Sequence, residues 1–130
     1  DVDDTPENRE VVRFLEDYRR AVEARDVGKL LELASLDYYD DNGTPIGTDD
    51  VDYETLQERL RLWRERVVDV RYEVRYRRIL FNAGKVYVDV RYSGGFRVAA
   101  DEGERWSRRL SDNRLVLRRE DGELRLLSGM

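Results

Sequence analysis

The chain contains no histidine and no cysteine. The first absence removes the side chain that most often serves as general base and as metal ligand near neutral pH. The second removes disulfides and thiolate chemistry. Ser-His-Asp and Cys-His catalytic systems and histidine-based zinc sites are therefore excluded, and no bound metal or organic cofactor is expected. Without cysteine nothing reports the redox compartment, so localisation is left open between cytoplasmic and extracytoplasmic. No apolar run approaches the roughly 20 residues that a membrane span needs. Lysine is nearly absent, Lys29 and Lys85 alone, and arginine carries the positive charge. Against 24 basic residues stand 29 acidic ones, a formal net charge of −5. A mildly acidic domain does not suit non-specific nucleic-acid binding, which needs a net basic footprint, although a local arginine patch remains compatible with the composition.

What is present suits one water-facing domain. Apolar residues make up 40% of the chain and charged residues 41%. A length of 130 residues buries about two-thirds of the unfolded surface, enough for one core. The acidic stretch Asp1–Thr5, beginning without Met, reads as a disordered linker stub left by removal of a leader or by trimming of a larger protein. The remainder reads as a single domain.

Thr5-Pro6 opens a first helix, Thr as N-cap and Pro at the first helical position. Val11, Val12, Phe14, Leu15, Tyr18 and Val22 recur there at helical spacing. Asp26 caps a short second helix carrying Leu30, Leu31, Leu33 and Ala34. A polar stretch from Asp37 to Asp52 follows, with the turn signal Asn42-Gly43 and a short strand before it. Asp50 or Asp52 then caps a third helix with the stripe Tyr53, Leu56, Leu60, Trp63 and Val67.

After this the hydrophobic period changes from 3.6 to 2. Val68, Val70, Tyr72, Val74, Tyr76, Arg78 and Leu80 form one row; after the turn Asn82-Ala83-Gly84, so do Val86, Val88, Val90 and Tyr92. These runs predict a long antiparallel hairpin with one buried and one charged face. Gly94-Gly95 predicts a sharp bend, and the phase slip between Leu110 and Leu115 predicts a bulge at Ser111-Asp112-Asn113. Glu120-Asp121-Gly122 turns into a last strand, Leu124 to Ser128.

Two pieces carry a family resemblance: Phe14-Leu15-Glu16-Asp17-Tyr18 leading into Ala24-Arg25-Asp26-Val27-Gly28-Lys29-Leu30, and the ending Leu124-Arg125-Leu126-Leu127-Ser128-Gly129-Met130. With the element order, they resemble the NTF2-like superfamily, in its ketosteroid-isomerase and SnoaL-like branch, over nearly the whole chain. The resemblance implies an α+β cone: three N-terminal helices packed on a curved, mainly antiparallel sheet, with a pocket at the open end. It also implies cofactor-independent isomerase or cyclase chemistry, Tyr18 as oxyanion donor and Asp41 or Asp40 as base. The late-strand donor of that branch has no match; Glu104 is the nearest acid.

From the residues themselves, Tyr18 reads either as a core tyrosine or as a pocket donor. Asp40 and Asp41 read either as a solvated acidic loop or as a general base raised by apolar walls. Asp40, Asn42, Gly43 and Asp49 have partial calcium-loop spacing, broken by Tyr38 and Pro45. Arg78 interrupts an apolar row, so it must be paired or face a wet cavity, where it would anchor an anion. Trp63, Tyr76, Tyr92 and Trp106 are candidates for an aromatic lining that takes a small apolar or anionic ligand. The opposite face of the hairpin, with Arg71, Glu73, Arg75, Arg77, Asp89, Arg91 and Arg97, reads as solvated or as a salt-sensitive homodimer contact. Asn42-Gly43-Thr44 fits an N-glycosylation acceptor. The expected function is small-molecule binding, with the isomerase-type enzyme and a protein-interaction module as alternatives.

Overall fold

The computed structural model describes residues 2–41, 50–99 and 103–130. Helix α1 runs over Pro6–Ala24 and begins as the sequence dictates: the Thr5 side chain accepts from the Asn8 N–H at 3.1 Å, with Pro6 in the first turn. The helix stops at Arg25, whose backbone is left-handed at φ 52°. That conformation is costly for arginine. It is compensated by the guanidinium, which donates to the carbonyls of Arg64 at 3.0 Å and Val67 at 2.6 Å and so ties the end of α1 to the end of the third helix. Asp26 caps α2, Val27–Leu33, and Asp52, rather than Asp50, caps α3, Tyr53–Arg66.

Two short strands, β1 Tyr39–Asp40 and β2 Val51–Asp52, pair antiparallel. The main sheet is an antiparallel meander of β3 Val67–Asn82, β4 Lys85–Val98, β5 Arg105–Glu120 and β6 Glu123–Ser128. Its tight turns place Ala83 and Gly84, then Asp121 and Gly122, at positive φ, the mirror-image turn geometry that matches strand twist. The helices lie on one face. Val11, Leu15, Leu30, Leu33, Val86, Val88, Leu115, Leu117, Leu124 and Leu126 form the buried core between the layers. The result is the α+β architecture expected above, three helices on a mainly antiparallel sheet.

Each sheet edge is met at one point by the helical layer, which there blunts its tendency to pair with other chains. Along β3 the Tyr72 N–H donates to Glu23 of α1 at 3.2 Å. Along β6 the Leu126 carbonyl accepts from Ser35 N–H at 2.8 Å, beside a parallel bridge from Ala34 to Leu126.

Two details of the strands differ from the sequence reading. Pairing of β3 with β4 shifts between Tyr76 and Arg78, so the extra residue turns Arg78 to the outer face opposite Asp89, while Ile79 and Phe81 take up the inner row. No bulge occurs at Ser111–Asn113, because β4 and β5 pair without a break from Lys85↔Arg118 to Val98↔Arg105. Leu110 is out of phase simply because it stands on the outer face, 71% exposed. Gly94 and Gly95 each keep a partner on both neighbouring strands.

Candidate functional site

Near the β4–β5 end that meets α1 and α2, the inner row of the sheet is Val86, Val88 and Val90 facing Leu117 and Leu115, all buried. Past Val90 the row continues as Tyr92, Gly94 and Phe96, opposite Ser111, Arg109 and Ser107. Branched aliphatics interdigitate and fill space. Rings around a residue without a side chain, next to polar chains that reach for solvent, do not. A cavity of about 270 Å³ opens here. Tyr18 and Val22 of α1, Leu30 of α2, and Leu56, Arg59, Leu60 and Trp63 of α3 supply one wall. Tyr72, Tyr92, Phe96 and Arg109 supply the sheet wall, and Tyr38, Asp40, Val51 and Met130 close the remaining side.

The tyrosines set the chemistry of this space. Burial pushes the Tyr18 hydroxyl well above its ordinary value, helped by the neighbouring Tyr72, Tyr38 and Tyr92. Burial likewise raises Tyr72, and it raises Tyr38 to about 12, with the Asp40 charge adding to the effect. These groups are neutral phenols at physiological pH and can donate hydrogen bonds; none is a base. The Tyr72 and Tyr92 rings meet at 5.5 Å between centroids with a tilt of 51°, a favourable aromatic contact.

The segment after β6 forms part of the lining. Gly129 N–H donates to Asp40 Oδ2 at 3.0 Å, and Met130 N–H donates to the Tyr38 hydroxyl oxygen at 3.1 Å. Asn113 Nδ2 donates to the Gly129 carbonyl at 2.7 Å. Asn113 belongs to the inner row of β5, so one polar residue there fixes the segment that places Met130 against the cavity.

Of the residues singled out in the sequence, Tyr18, Asp40, Trp63 and Tyr92 come together around this cavity. Asp41 is exposed and outside the lining. Tyr76 keeps its inner-row position but sits away from the cavity, its hydroxyl donating to Glu16 Oε2 at 2.6 Å. Burial raises Glu16, but the hydrogen bonds from Tyr76 and Arg19 outweigh it and leave the carboxyl below its ordinary value. Arg78 lies with Arg77, Asp89, Asp112 and Arg114 on the outer face, where the bulge has put it. Trp106 is also on the outer face, 48% exposed, with the Arg71 and Arg97 guanidinium carbons 5.7 and 5.9 Å from its ring centroid. It cannot reach the cavity, because its neighbour Arg105 occupies the inner row. The calcium-loop and glycosylation patterns include residues of 42–49, outside the described residues. Among the described residues, no three His, Cys, Asp or Glu side chains gather in a way that could hold a metal ion.

Sequence reasoning missed Arg59, Arg109, Tyr38 and Met130 as lining. A signal for Arg109 existed. Counting back by twos from Leu117 gives Leu115, Asn113, Ser111 and Arg109 on one face. Insisting on Leu110 as a core residue hid that row. The charged face behind the sheet largely satisfies itself: Arg91 pairs with Asp112 at 2.8 Å and Arg114 with Asp89 at 2.7 Å.

No family model and no curated protein matches the sequence. Similar solved structures are plentiful. A presumed dehydratase of the NTF2-like family from Streptomyces avermitilis superposes with a TM-score of 0.73 at 14% identity, over 93% of this chain and 92% of that one. The chain has the NTF2-like fold. A presumed scytalone dehydratase from Novosphingobium aromaticivorans gives a TM-score of 0.78 at 12% identity, over 95% of this NTF2-like chain and 80% of the other. A presumed calcium/calmodulin-dependent protein kinase II association domain from Xanthomonas campestris gives 0.71 at 15% identity, over 99% and 91%. The NTF2-like fold is thus shared with proteins named for catalysis and with one named for assembly. Its use in this chain has to be argued from the cavity. Among the described residues no helix is long and apolar enough to cross a membrane.

Proposed function

We propose that this NTF2-like domain binds a small, flat, largely apolar molecule in the cavity between its helices and its sheet. The observation that carries the reading is the cavity itself: about 270 Å³, walled by Trp63, Tyr72, Tyr92 and Phe96, with protonated tyrosine hydroxyls and a few charged groups. Concave, mostly apolar spaces with a small number of convergent polar groups are what small-molecule sites look like, and this one is at the small end of the range. A ligand-observed NMR screen of neutral one- and two-ring aromatics tests it. Binding is expected in the parent chain and is expected to vanish in Leu60→Trp, which fills the space from α3. Equal binding to both proteins would place the ligand elsewhere, and no binding to the parent would remove the reading.

A second reading has one observation in its favour. Tyr18 and Asp40 line the same cavity, the pairing of phenol and carboxylate that proton abstraction next to a carbonyl requires. In this reading Asp40 takes the proton and Tyr18, with Tyr72, donates to the oxyanion; Asp41 has no part. The Asp40 carboxylate also accepts from Gly129 N–H at 3.0 Å, which fixes one of its oxygens. Solvent-deuterium exchange into a cyclic β,γ-unsaturated ketone is the test. Exchange abolished by Asp40→Asn and slowed at least tenfold by Tyr18→Phe is expected; a rate unaffected by Asp40→Asn removes the enzyme.

A further inference from the structure

Charge around the cavity runs against the charge of the chain. The whole protein carries a formal −5, yet among the described residues the lining holds two arginines, Arg59 and Arg109, against one carboxylate, Asp40. The two arginines come from opposing elements. Arg59 sits on the α3 turn between Leu56 and Leu60, and Arg109 stands on the inner row of β5, opposite Gly94. Both residues are exposed, so their guanidinium groups remain in reach of solvent at the rim while the aromatic walls lie below.

Their isolation is the second part of the argument. Among the described residues some arginines are committed to nearby carboxylates, Arg19 to Glu16 and Glu23, Arg118 to Asp37 and Glu120, and Arg119 to Glu10, while others on the surface, Arg66 and Arg75 among them, are not. Neither Arg59 nor Arg109 has an ion-pair partner among the described residues. Asp40, the one acid of the lining among the described residues, accepts from Gly129 N–H, so its charge is partly met by the segment after β6. The rim therefore offers two uncommitted planar forks over a neutral aromatic floor. A guanidinium recognises a planar anion through paired N–H donors, an interaction about twice as strong as one between neutral groups.

The geometry points to a flat aromatic carboxylate as the ligand class, its ring against Trp63, Tyr92 and Phe96 and its carboxylate held at the rim by Arg59 and Arg109. The inference rests on the pocket reading above and narrows it. Gly94 contributes to the fit: a side chain there would press on the Phe96 ring, only 3.1 Å from where its first carbon would stand, so the space under Arg109 is left to the rings.

Titration of the full chain with 2-naphthoate and with 2-naphthamide, followed by ligand-observed NMR and calorimetry, tests it. The two probes share a ring and differ in charge. At low salt the acid is expected to bind at least tenfold more tightly than the amide. Arg59→Gln and Arg109→Gln are each expected to cut that preference severalfold, and the double variant to erase it, with acid binding falling more than amide binding in every variant. Raising the salt should shrink the preference in the parent and leave the amide alone. Equal binding of acid and amide to the parent overturns the carboxylate assignment and leaves the pocket standing. A preference that survives in the double variant overturns the role of the two arginines. Binding of neither probe overturns the pocket reading and this inference together. The comparison of the two probes on the parent chain needs no variant to fold.

Discussion

Single side chains in this domain are perturbed chiefly by burial, and the tyrosines feel it most. In Tyr18, Tyr38, Tyr72 and Tyr76 the largest influence is loss of water around the hydroxyl, which favours the neutral phenol. A group whose value is raised in the folded state stabilises the fold fully below its ordinary value and loses that contribution as pH rises through the folded one. For Tyr38 the window runs from its ordinary 10 to about 12. The buried set should therefore form phenolate only with cooperative unfolding above about pH 10. Smooth titration of all the tyrosines near their ordinary value, without loss of structure, would mean that the cavity is open to water. Tyr38 itself was read in the sequence only as a residue interrupting a calcium-loop pattern. Its place in the lining goes with the Met130 N–H, which donates to its hydroxyl oxygen from 92 residues further along the chain.

Among the elements, the helices were legible because each has a local start signal: Thr5, Asp26 and Asp52 all accept from the N–H three residues on. The hairpin strands were legible from their alternation. Register was legible only in part. A bulge costs one residue and leaves no mark in composition, so the shift at Tyr76/Arg78 went unseen and Arg78 was set on the wrong face. Strand β5 was misread for the opposite reason, as an apolar residue on the solvent face imitated a phase slip. The two leucines of that strand now make opposite predictions. Leu117→Ala removes a fully buried side chain and should cost about 2–5 kcal/mol. Leu110→Ala alters an exposed one and should stay within about 0.5 kcal/mol of the parent. Urea unfolding of both variants checks the register; similar losses would show that Leu110 belongs to the core.

For the molecule as a whole, the C-terminal segment completes the cavity. Gly129 has φ 98° and lies against the Arg114 carbonyl, so a methyl group there would meet both backbone strain and overlap. Gly129→Ala should therefore cost more than about 1 kcal/mol and displace the segment, removing the bonds that Gly129 N–H and Met130 N–H make to Asp40 and the Tyr38 hydroxyl. Faster hydrogen exchange at the Gly129 and Met130 amides, with core amides of β4 little changed, is the expected signature. Unchanged exchange at those two amides would mean that the segment does not hold the cavity shut.

The sequence alone determined the element order, the helix caps, the aromatic content of the sheet and the exclusion of histidine and cysteine chemistry. These are properties of neighbouring residues and of composition, and short-range forces decide them. Only the tertiary structure decided which aromatics share a space and which charges overlook it. Tyr18, Trp63 and Tyr92 line one cavity, while Trp106 and Arg78 lie on the other face and Arg59 and Arg109 stand at the rim. One residue of strand register separates those outcomes, because successive side chains point to opposite faces of a sheet. That register is set by packing across the whole domain, which no local pattern records.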